Sequence, residues 1–240
     1  VIVTELCLMD MGTYIENERC VADTLVVFWM YDLLMGLCHL HELLIVHRDI
    51  KPTNCLLKVD VLGRLRLKVA DFGVSSKVDR SSPEIGPGRS IVTTYGYAAP
   101  EVLTGLSYTF SSDIWSAGVV LFEMLQVDAT NRALSLEDGM IPQAVVALLP
   151  DVLKKFETRF GNNIGSQSLP LCIDMMKWEP LERPAAQKAL SYQFLASGLD
   201  KGEDADSTSL FDVAPAMKMM ANREESKEAV QKKVISRQNL

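Results

Sequence analysis

The segment His47-Arg-Asp-Ile-Lys-Pro-Thr-Asn54 gathers charged and amide side chains between two apolar stretches of the chain. Because Pro52 has no amide hydrogen and is excluded from a helix interior, the segment is predicted to be a loop. Within six residues it supplies the carboxylate of Asp49, the ammonium group of Lys51 and the carboxamide of Asn54. A rigid loop that holds these groups together is expected to carry the chemistry of the protein.

The sequence on either side of this loop predicts a buried helix before it and a β-hairpin after it. Over residues 21–44 the large apolar side chains recur at steps of three and four, as on a mostly buried helix. Residues 55–59 and 65–70 are short apolar runs with a glycine between them, which is typical of a hairpin. Since the second run ends at Asp71-Phe-Gly73, the hairpin is expected to bring Asp71 back beside the loop.

The remaining segments are predicted to be a first strand followed by loops and helices. Residues 197–240 mix acidic and basic residues with few large apolar ones, which predicts a flexible charged tail with one solvated helix near 223–234. The other predicted elements are the end of a β-strand at 1–6, a turn at 10–12, a long loop at 74–98, a cap at 111–113, helices over 114–126, 142–156 and 169–178, and a short helix starting at Arg183-Pro184.

The composition excludes several classes of protein. With 24 Lys+Arg against 31 Asp+Glu the net charge is −7, which disfavours a nucleic-acid partner held by phosphate charge. The five cysteines are scattered without a C-x-x-C pair, so neither a disulfide framework nor structural zinc is expected and a reducing compartment is favoured. Charged and glycine residues interrupt the richest apolar stretch, residues 25–40, so no membrane segment is predicted. We therefore expect an intracellular, cytoplasmic protein.

The polar residues define a chemistry of their own. Asp49, Asn54 and Asp71 offer carboxylate and amide oxygens, which are the hard ligands that Mg²⁺ prefers. The ammonium group of Lys51 suits a phosphate, and a carboxylate that does not bind metal can accept a proton from an alcohol. Together these groups predict phosphoryl transfer from a Mg²⁺–nucleotide to a hydroxyl.

Five motifs in one order resemble the C-terminal lobe of eukaryotic protein kinases. They are the segment 47–54, Asp71-Phe-Gly73, Ala99-Pro-Glu101, Asp113-Ile-Trp-Ser-Ala-Gly118 and Trp178-Glu-Pro-Leu-Glu-Arg183-Pro184. The resemblance implies a mainly α fold, a helical C-lobe with a small β-hairpin and catalytic and activation loops, which is one part of the α+β kinase fold. It implies a kinase domain over 1–196, which starts at the hinge between the lobes, and a flexible charged tail over 197–240.

The resemblance also implies a serine/threonine kinase that transfers the γ-phosphate of ATP to protein hydroxyls. Asp49 resembles the catalytic base, Lys51 the residue that steadies the γ-phosphate, and Asn54 and Asp71 the Mg²⁺ ligands. Lys51, with Thr94 ahead of the Ala-Pro-Glu motif, is similar to serine/threonine rather than tyrosine kinases. By the same resemblance the nucleotide site comprises Glu5, Cys7, Asp10, Lys51, Asn54, Leu56 and Asp71, with Thr4 at the gatekeeper position of the hinge.

Other residues resemble the supporting and regulatory parts of the family. Arg48 resembles the arginine that binds a phosphate on the activation loop, which an upstream kinase would add to Ser90 or Thr93. Thr94 resembles the residue that contacts the catalytic aspartate. By the same resemblance, Glu101 and Arg183 form a buried ion pair and Asp113 holds the backbone of the catalytic loop. No partner is identified for His39 or His41, and both are predicted to be structural.

An alternative is a non-catalytic pseudokinase or scaffold lobe that acts through protein–protein contacts. No G-x-G-x-x-G motif or strand lysine precedes the hinge in this sequence. The resemblance therefore implies an N-terminal lobe encoded upstream of Val1, and the chain without that lobe is expected to phosphorylate poorly because positioning supplies most of the catalysis. An upstream glycine loop and lysine would favour the enzyme, and their absence would favour the scaffold.

Overall fold

The structure, a computed structural model, describes residues 3–18, 21–82, 84–86, 94–126 and 164–196. The helices in this part of the chain are α1 (Met11–Glu18), α2 (Asp23–Glu42), α3 (Pro100–Leu103), α4 (Phe110–Gln126), α5 (Ile164–Met175) and α6 (Ala186–Ala189). The strands are β1 (Met9–Asp10), β2 (Ile45–Val46), β3 (Cys55–Val59), β4 (Leu65–Val69), β5 (Ser76–Lys77), β6 (Glu84–Ile85) and β7 (Tyr108–Thr109).

The two long apolar helices, α2 and α4, contribute more side chains to the core than any other described element. Ten side chains of α2 are buried, and residues 112–122 of α4 are buried without interruption. Helix α5 packs so closely on α4 that a Cβ atom at Gly118 would lie 2.9 Å from side-chain atoms of Met175 and Met176. A larger residue at position 118 would therefore force these two helices apart.

The hairpin β3–β4 lies against α2 and sets the position of the loop before it. Cys55 pairs with Val69 at one end of the antiparallel ladder, and Val59 pairs with Leu65 at the other. The indole Nε1–H of Trp29 on α2 donates to the Leu65 carbonyl at 3.1 Å. Strand β1 adds to the free edge of β3, whereas β2 pairs with β5 and β6 pairs with β7. The loop at 47–54 thus enters a hairpin that is fixed to the central helix.

Helix α2 is also long and apolar enough to cross a membrane by length and composition alone. Its 20 residues include a window with a mean hydropathy of 1.3, but 56% of that window is buried inside the fold. The core helix of a globular domain meets the same criterion, and we interpret α2 in that way because the hairpin packs on it.

Near the start of the chain the secondary structure differs from the sequence prediction. Residues 3–6 form no strand, and the predicted turn at 10–12 is the beginning of α1. The reason is a cap: Asp10 Oδ1 accepts the Thr13 N–H at 2.8 Å, and Asp10 Oδ2 accepts the Thr13 hydroxyl at 2.7 Å. Only Met11 and Tyr14 are buried on α1, so its apolar pattern is too sparse to predict a helix.

Other boundaries shift as well, while the class of the fold agrees with the prediction. Helix α4 begins at Phe110, so the predicted cap residues lie in its first turn, and α5 covers 164–175 rather than 169–178. The predicted loop at 74–98 contains β5 and β6, because these two-residue strands pair with distant partners. The predictions at 142–156 and 197–240 lie outside the described residues. The described residues are mainly helical with small sheets, as predicted.

Candidate active site

Four side chains form one hydrogen-bonded network around the carboxylate of Asp49. Lys51 Nζ lies 2.8 Å from Asp49 Oδ2, and the Thr94 hydroxyl donates to Asp49 Oδ1 at 3.0 Å. Lys51 Nζ also donates to Thr94 Oγ1 at 2.8 Å, which closes the ring. Asn54 Nδ2 donates to the backbone carbonyl of Asp49 at 2.8 Å and to its Oδ2 at 2.9 Å. The predicted contact between Thr94 and Asp49 is therefore present.

The network keeps Asp49 in its carboxylate form. Burial on its own would raise the pKa of this carboxyl group, but the hydrogen bonds from Lys51, Thr94 and Asn54 and the charge of Lys51 outweigh burial, and the net pKa is lowered. The side chain keeps 15% of its exposure, so its oxygens can still be approached from solvent. An ionised and approachable carboxylate can accept the hydrogen of an alcohol.

Asp71 lies beside this network because the hairpin returns it there. The Ala70 N–H donates to the Asn54 carbonyl at 2.9 Å, and the Ala70 carbonyl lies 3.0 Å from His47 Nε2. Asp71 follows directly, with a left-handed φ of 62° and an exposed side chain. Its Oδ1 accepts the Gly73 N–H at 3.2 Å, so the carboxylate is held locally while it faces solvent. The structure thus joins Asp49, Lys51 and Asn54 in one network, and places Asp71 one residue beyond the backbone hydrogen bond between Ala70 and Asn54.

The donor set at Asn54 and Asp71 fits a hard divalent cation. The amide nitrogen of Asn54 is committed to Asp49, which leaves its carbonyl oxygen as the possible ligand. With the Asp71 carboxylate this gives two oxygen donors, and Mg²⁺ in proteins often takes few protein ligands and completes its shell with phosphates and water. Among the described residues no group of three or more His, Cys, Asp or Glu side chains is arranged to hold a metal ion. The site therefore suits a cation that arrives with a phosphate.

Asp113 on α4 fixes the backbone of the loop 47–54 at its first two residues. Asp113 Oδ2 accepts the His47 N–H at 2.9 Å, and Oδ1 accepts the Arg48 N–H at 2.9 Å, as predicted. Arg48 has a φ of 75°, which a non-glycine residue adopts only under constraint. The Asp49 N–H donates to His47 Nδ1 at 3.3 Å, so the peptide that carries the candidate base is tied down on both sides.

The side chain of Arg48 is buried, but only some of its hydrogen-bond donors have an acceptor among the described residues. Its Nη1 donates to the Val74 carbonyl at 3.1 Å and to Ser76 Oγ at 3.4 Å, and its guanidinium carbon lies 4.4 Å from the ring centre of Tyr108. Its Nε and Nη2 atoms are buried and have no hydrogen-bond partner among the residues that the structure describes. A guanidinium with two unused donors is suited to a planar or tetrahedral anion.

The remaining predicted nucleotide-site residues lie along β1 and the segment before it. Leu56 on β3 pairs directly with Asp10 on β1, so both lie next to the segment predicted as the hinge. Both Asp10 oxygens are engaged by Thr13 in the cap of α1. Glu5 is farther out, where its carboxylate pairs with Lys58 at 2.7 Å and lies 3.7 Å from Lys68.

Cys7 lies between Glu5 and β1 and is partly buried. Burial raises the pKa of its thiol, as does the nearby charge of Glu5. A thiol of this kind is mostly protonated near neutral pH and behaves as a small apolar group. In the described part of the chain no hydrogen bond connects Cys7 or Glu5 to the network around Asp49.

Two features of this region were not assigned from the sequence. The sequence identifies no partner for His41, and the structure places its Nε2 3.0 Å from Asp113 Oδ2. Tyr97 donates its hydroxyl to Glu123 Oε2 at 2.7 Å, and burial raises the pKa of Glu123. Each pair joins residues far apart in sequence, so local patterns carry no signal for either.

The comparisons with known proteins agree with this geometry. The chain matches the family model described as Protein kinase domain over residues 1–195. It therefore belongs to the protein kinase family. It is 27% identical over 231 residues to mitogen-activated protein kinase 10 of Arabidopsis thaliana. The aligned region covers 88% of this chain and 57% of that protein.

Two further relatives carry serine/threonine kinase names. The chain is 30% identical over 204 residues to the mouse (Mus musculus) serine/threonine-protein kinase ICK, covering 76% of this chain and 31% of the relative. It is 27% identical over 195 residues to the Drosophila melanogaster serine/threonine-protein kinase polo, covering 81% and 31%. The chain thus spans between 31% and 57% of the length of these curated relatives.

Proposed function

We propose that this chain is the catalytic part of a serine/threonine protein kinase that transfers the γ-phosphate of ATP to hydroxyl groups of protein substrates. The observation that carries the proposal is the closed network of Asp49, Lys51, Thr94 and Asn54, with Asp71 beside it. The network supplies an ionised acceptor, a cation and two oxygen ligands at one open edge of the fold. Phosphoryl transfer to an alcohol needs each of these groups.

Asp49 is the base in this proposal. A substrate hydroxyl donates its hydrogen to the carboxylate, its oxygen attacks the γ-phosphorus, and the bond to the β-phosphate oxygen breaks to release ADP. The proton on Asp49 then passes to solvent through its exposed edge. Thr94 and Asn54 hold the carboxylate in the orientation that the hydroxyl meets.

Lys51, Asn54 and Asp71 bind the nucleotide phosphates in this proposal. Lys51 is within reach of both Asp49 and Thr94, so its ammonium group can neutralise charge on the transferring phosphoryl group. Asn54 and Asp71 would hold Mg²⁺, which when bound neutralises charge on the phosphate oxygens. Leu56 and the segment around Cys7 and Asp10 border the adenosine, because β1 runs directly beside β3.

Arg48 connects this site to regulation by phosphorylation. Its Nε and Nη2 are buried and unpaired within the described residues, and a phosphate on the activation loop would supply three acceptor oxygens to them. The predicted acceptors Ser90 and Thr93 lie outside the described residues. An upstream kinase that modifies either residue would satisfy Arg48 and fix the segment next to the catalytic loop. The cytoplasmic location remains a prediction.

The test is phosphate transfer to a serine- and threonine-containing protein by the full-length chain with Mg²⁺ and labelled ATP. We expect Asp49→Asn to lower the rate by about 10²–10⁴-fold, the usual contribution of a positioned base. The control is Asp79→Asn, which changes an exposed aspartate on the segment that follows. ATP binding is measured separately by calorimetry in all three proteins.

The two measurements separate the enzyme from the scaffold. Binding of ATP with transfer that depends on Asp49 supports the kinase. If the wild-type chain shows no transfer above the level of Asp49→Asn, the catalytic proposal is wrong and the pseudokinase interpretation gains support.

A further inference from the structure

Glu5 lies in the segment predicted as the hinge and contacts the hairpin β3–β4 through its side chain. Its Oε2 accepts a hydrogen bond from Lys58 Nζ at 2.7 Å, and its Oε1 lies 3.7 Å from Lys68 Nζ. The hydrogen bond from Lys58 and the charge of Lys68 lower the pKa of the Glu5 carboxyl group. Glu5 is therefore a carboxylate that interacts with ammonium groups on two neighbouring strands.

The two lysines lie on the face of the sheet that also carries Leu56. Residues two apart in a strand share a face, so Leu56 and Lys58 on β3 lie on the same side of the sheet. Lys68 on β4 pairs directly with Leu56 and belongs to that side as well. The opposite side carries Cys55 and Leu57, which are buried in the core. Glu5 is therefore attached to the side of the sheet that borders the proposed adenosine site.

A second attachment lies three residues farther along the chain. The Leu8 N–H donates to the Leu57 carbonyl at 2.8 Å, and strand β1 follows directly. Leu6 and Cys7 lie between the two attachments, and residues 3–7 form neither a helix nor a strand. Because no secondary structure holds this segment, the position of the Leu6–Cys7 peptide depends on the attachments at its two ends.

We propose that Glu5 is a positioning residue for nucleotide binding, acting through Lys58. The ion pair holds the segment 5–8 against the sheet, and this fixes the distance between the Leu6–Cys7 peptide and Leu56, where adenine would bind. This role differs from the direct nucleotide contact that the sequence predicts for Glu5. The inference rests on the proposed function for its effect on nucleotide affinity, whereas the attachment itself can be measured without a nucleotide.

The exposure of the pair sets the size of the expected effect. The side chains of Lys58 and Glu5 are 38% and 46% exposed, so water and salt screen their attraction. A pair of this kind changes an equilibrium constant by about two- to fivefold. The attraction should disappear at about 1 M NaCl, where the screening length falls to about 3 Å.

The first test is residue-resolved amide hydrogen exchange in the full-length chain without nucleotide. Glu5→Gln and Lys58→Met each remove one charge, and the double variant Glu5→Lys with Lys58→Glu restores the pair with its charges exchanged. We expect exchange at the Leu8 amide to be about two- to fivefold faster in each single variant and to return part of the way to wild type in the double variant. Glu182→Gln and Lys188→Met change exposed residues elsewhere and should match wild type.

The second test is the binding of adenosine, measured by calorimetry in the full-length chain. Because adenosine is uncharged, its affinity reports the position of the hinge segment rather than attraction between phosphates and lysines. The dissociation constant should rise about two- to fivefold in Glu5→Gln and in Lys58→Met. The difference between wild type and Glu5→Gln should disappear at about 1 M NaCl. In kinetic assays the KM for ATP should rise in both variants with little change in kcat.

The two tests together decide the inference. Unchanged exchange at Leu8 in both single variants, or exchange in the double variant as fast as in the single ones, overturns it. Faster exchange with an unchanged dissociation constant for adenosine also overturns it, because the attachment would then have no effect on the site. Faster exchange in the single variants with no binding of adenosine by any protein, wild type included, supports the attachment and counts against the proposed function.

Discussion

Two arginines are equally buried in this fold, and their surroundings differ. Arg183 is 6% exposed and Arg48 is 7% exposed. Every guanidinium nitrogen of Arg183 donates a hydrogen bond. Nη1 and Nη2 form a bidentate ion pair with the Glu101 carboxylate at 2.7 and 2.8 Å, and the group also donates to three backbone carbonyls. Arg48 has one nitrogen bonded to protein acceptors, and its Nε and Nη2 have no partner in the part of the chain that the structure describes.

This difference in hydrogen-bond partners indicates that Arg183 has a structural role, whereas Arg48 is suited to bind a ligand. Both guanidinium groups also lie over an aromatic ring, Trp115 for Arg183 and Tyr108 for Arg48, so the aromatic contact does not distinguish them. What differs is the anion, because Glu101 is built into the fold beside Arg183 and no carboxylate pairs with Arg48 among the described residues. A buried cation with unused hydrogen-bond donors destabilises the folded state. Binding of an anion to those donors therefore stabilises it.

The largest expected effect is the loss of Arg183. Arg183→Met should lower the free energy of unfolding by about 3–5 kcal/mol, because it leaves Glu101 buried without its cation. Urea denaturation measures the loss. The double variant Arg183→Met with Glu101→Leu should recover much of it, since neither partner is then left unpaired. A loss below about 1 kcal/mol would mean that the pair contributes little and that the two arginines are alike.

Binding of an anion at Arg48 is expected to change the free energy of unfolding by less than the loss of Arg183 does. Inorganic phosphate at ten times its dissociation constant should raise the free energy of unfolding by about 1.4 kcal/mol if it binds the folded state alone. Thermal melts over a phosphate series measure this, with chloride at matched ionic strength as reference. The shift should vanish in Arg48→Met and persist in Arg80→Met, which changes an exposed arginine. An equal shift in all three proteins would show that phosphate acts elsewhere.

The effect of Arg48→Met without phosphate should be smaller again. The substitution removes the bond to the Val74 carbonyl and the contact with Tyr108, which together favour arginine. It also removes two buried donors that lack partners, which favours methionine. We expect these to offset each other to within about 1 kcal/mol in urea denaturation. A loss as large as that of Arg183→Met would contradict the distinction between the two sites.

The sequence predicted those features of the two arginine sites that depend on residues close together in the chain. The loop at 47–54, the hairpin and the helices α2 and α4 follow from apolar periodicity and from proline. Asp71 returns to the loop that carries Asp49, Lys51 and Asn54 because a hairpin of fixed register ends beside that loop. Arg48 and Arg183 were both identified, each in its own motif.

What the sequence could not supply is which groups lack partners. That Arg48 keeps two unused donors depends on Val74, Ser76 and Tyr108, which approach it only in the fold. The contact of His41 with Asp113 spans 72 residues. Helix α1 was missed because its start depends on the cap at Asp10 rather than on an apolar stripe. Burial and long-range pairing decide these features, and neither is a local property of the chain.

The smallest effect concerns the partly buried carboxyl group of Glu123, which accepts the Tyr97 hydroxyl. Burial raises the pKa of Glu123, the Tyr97 hydroxyl lowers it, and the charge of Glu16 raises it, with a net rise above the model-compound value of 4.5. A carboxyl group whose pKa is raised by folding stabilises the fold fully below its unfolded pKa. That stabilisation is lost as the pH rises through the folded pKa.

Glu123→Gln should therefore be more stable than wild type at neutral pH, and the advantage should disappear below pH 4.5. Glutamine keeps an oxygen that accepts the Tyr97 hydroxyl, so the geometry of the pair is retained. Thermal melts between pH 4 and 8 measure the difference, with the exposed Glu182→Gln as control. A variant that is less stable than wild type at pH 7 would mean that a cation compensates Glu123 as Arg183 compensates Glu101. In that case Arg48 would be the one of these three side chains that lacks a counterion among the described residues.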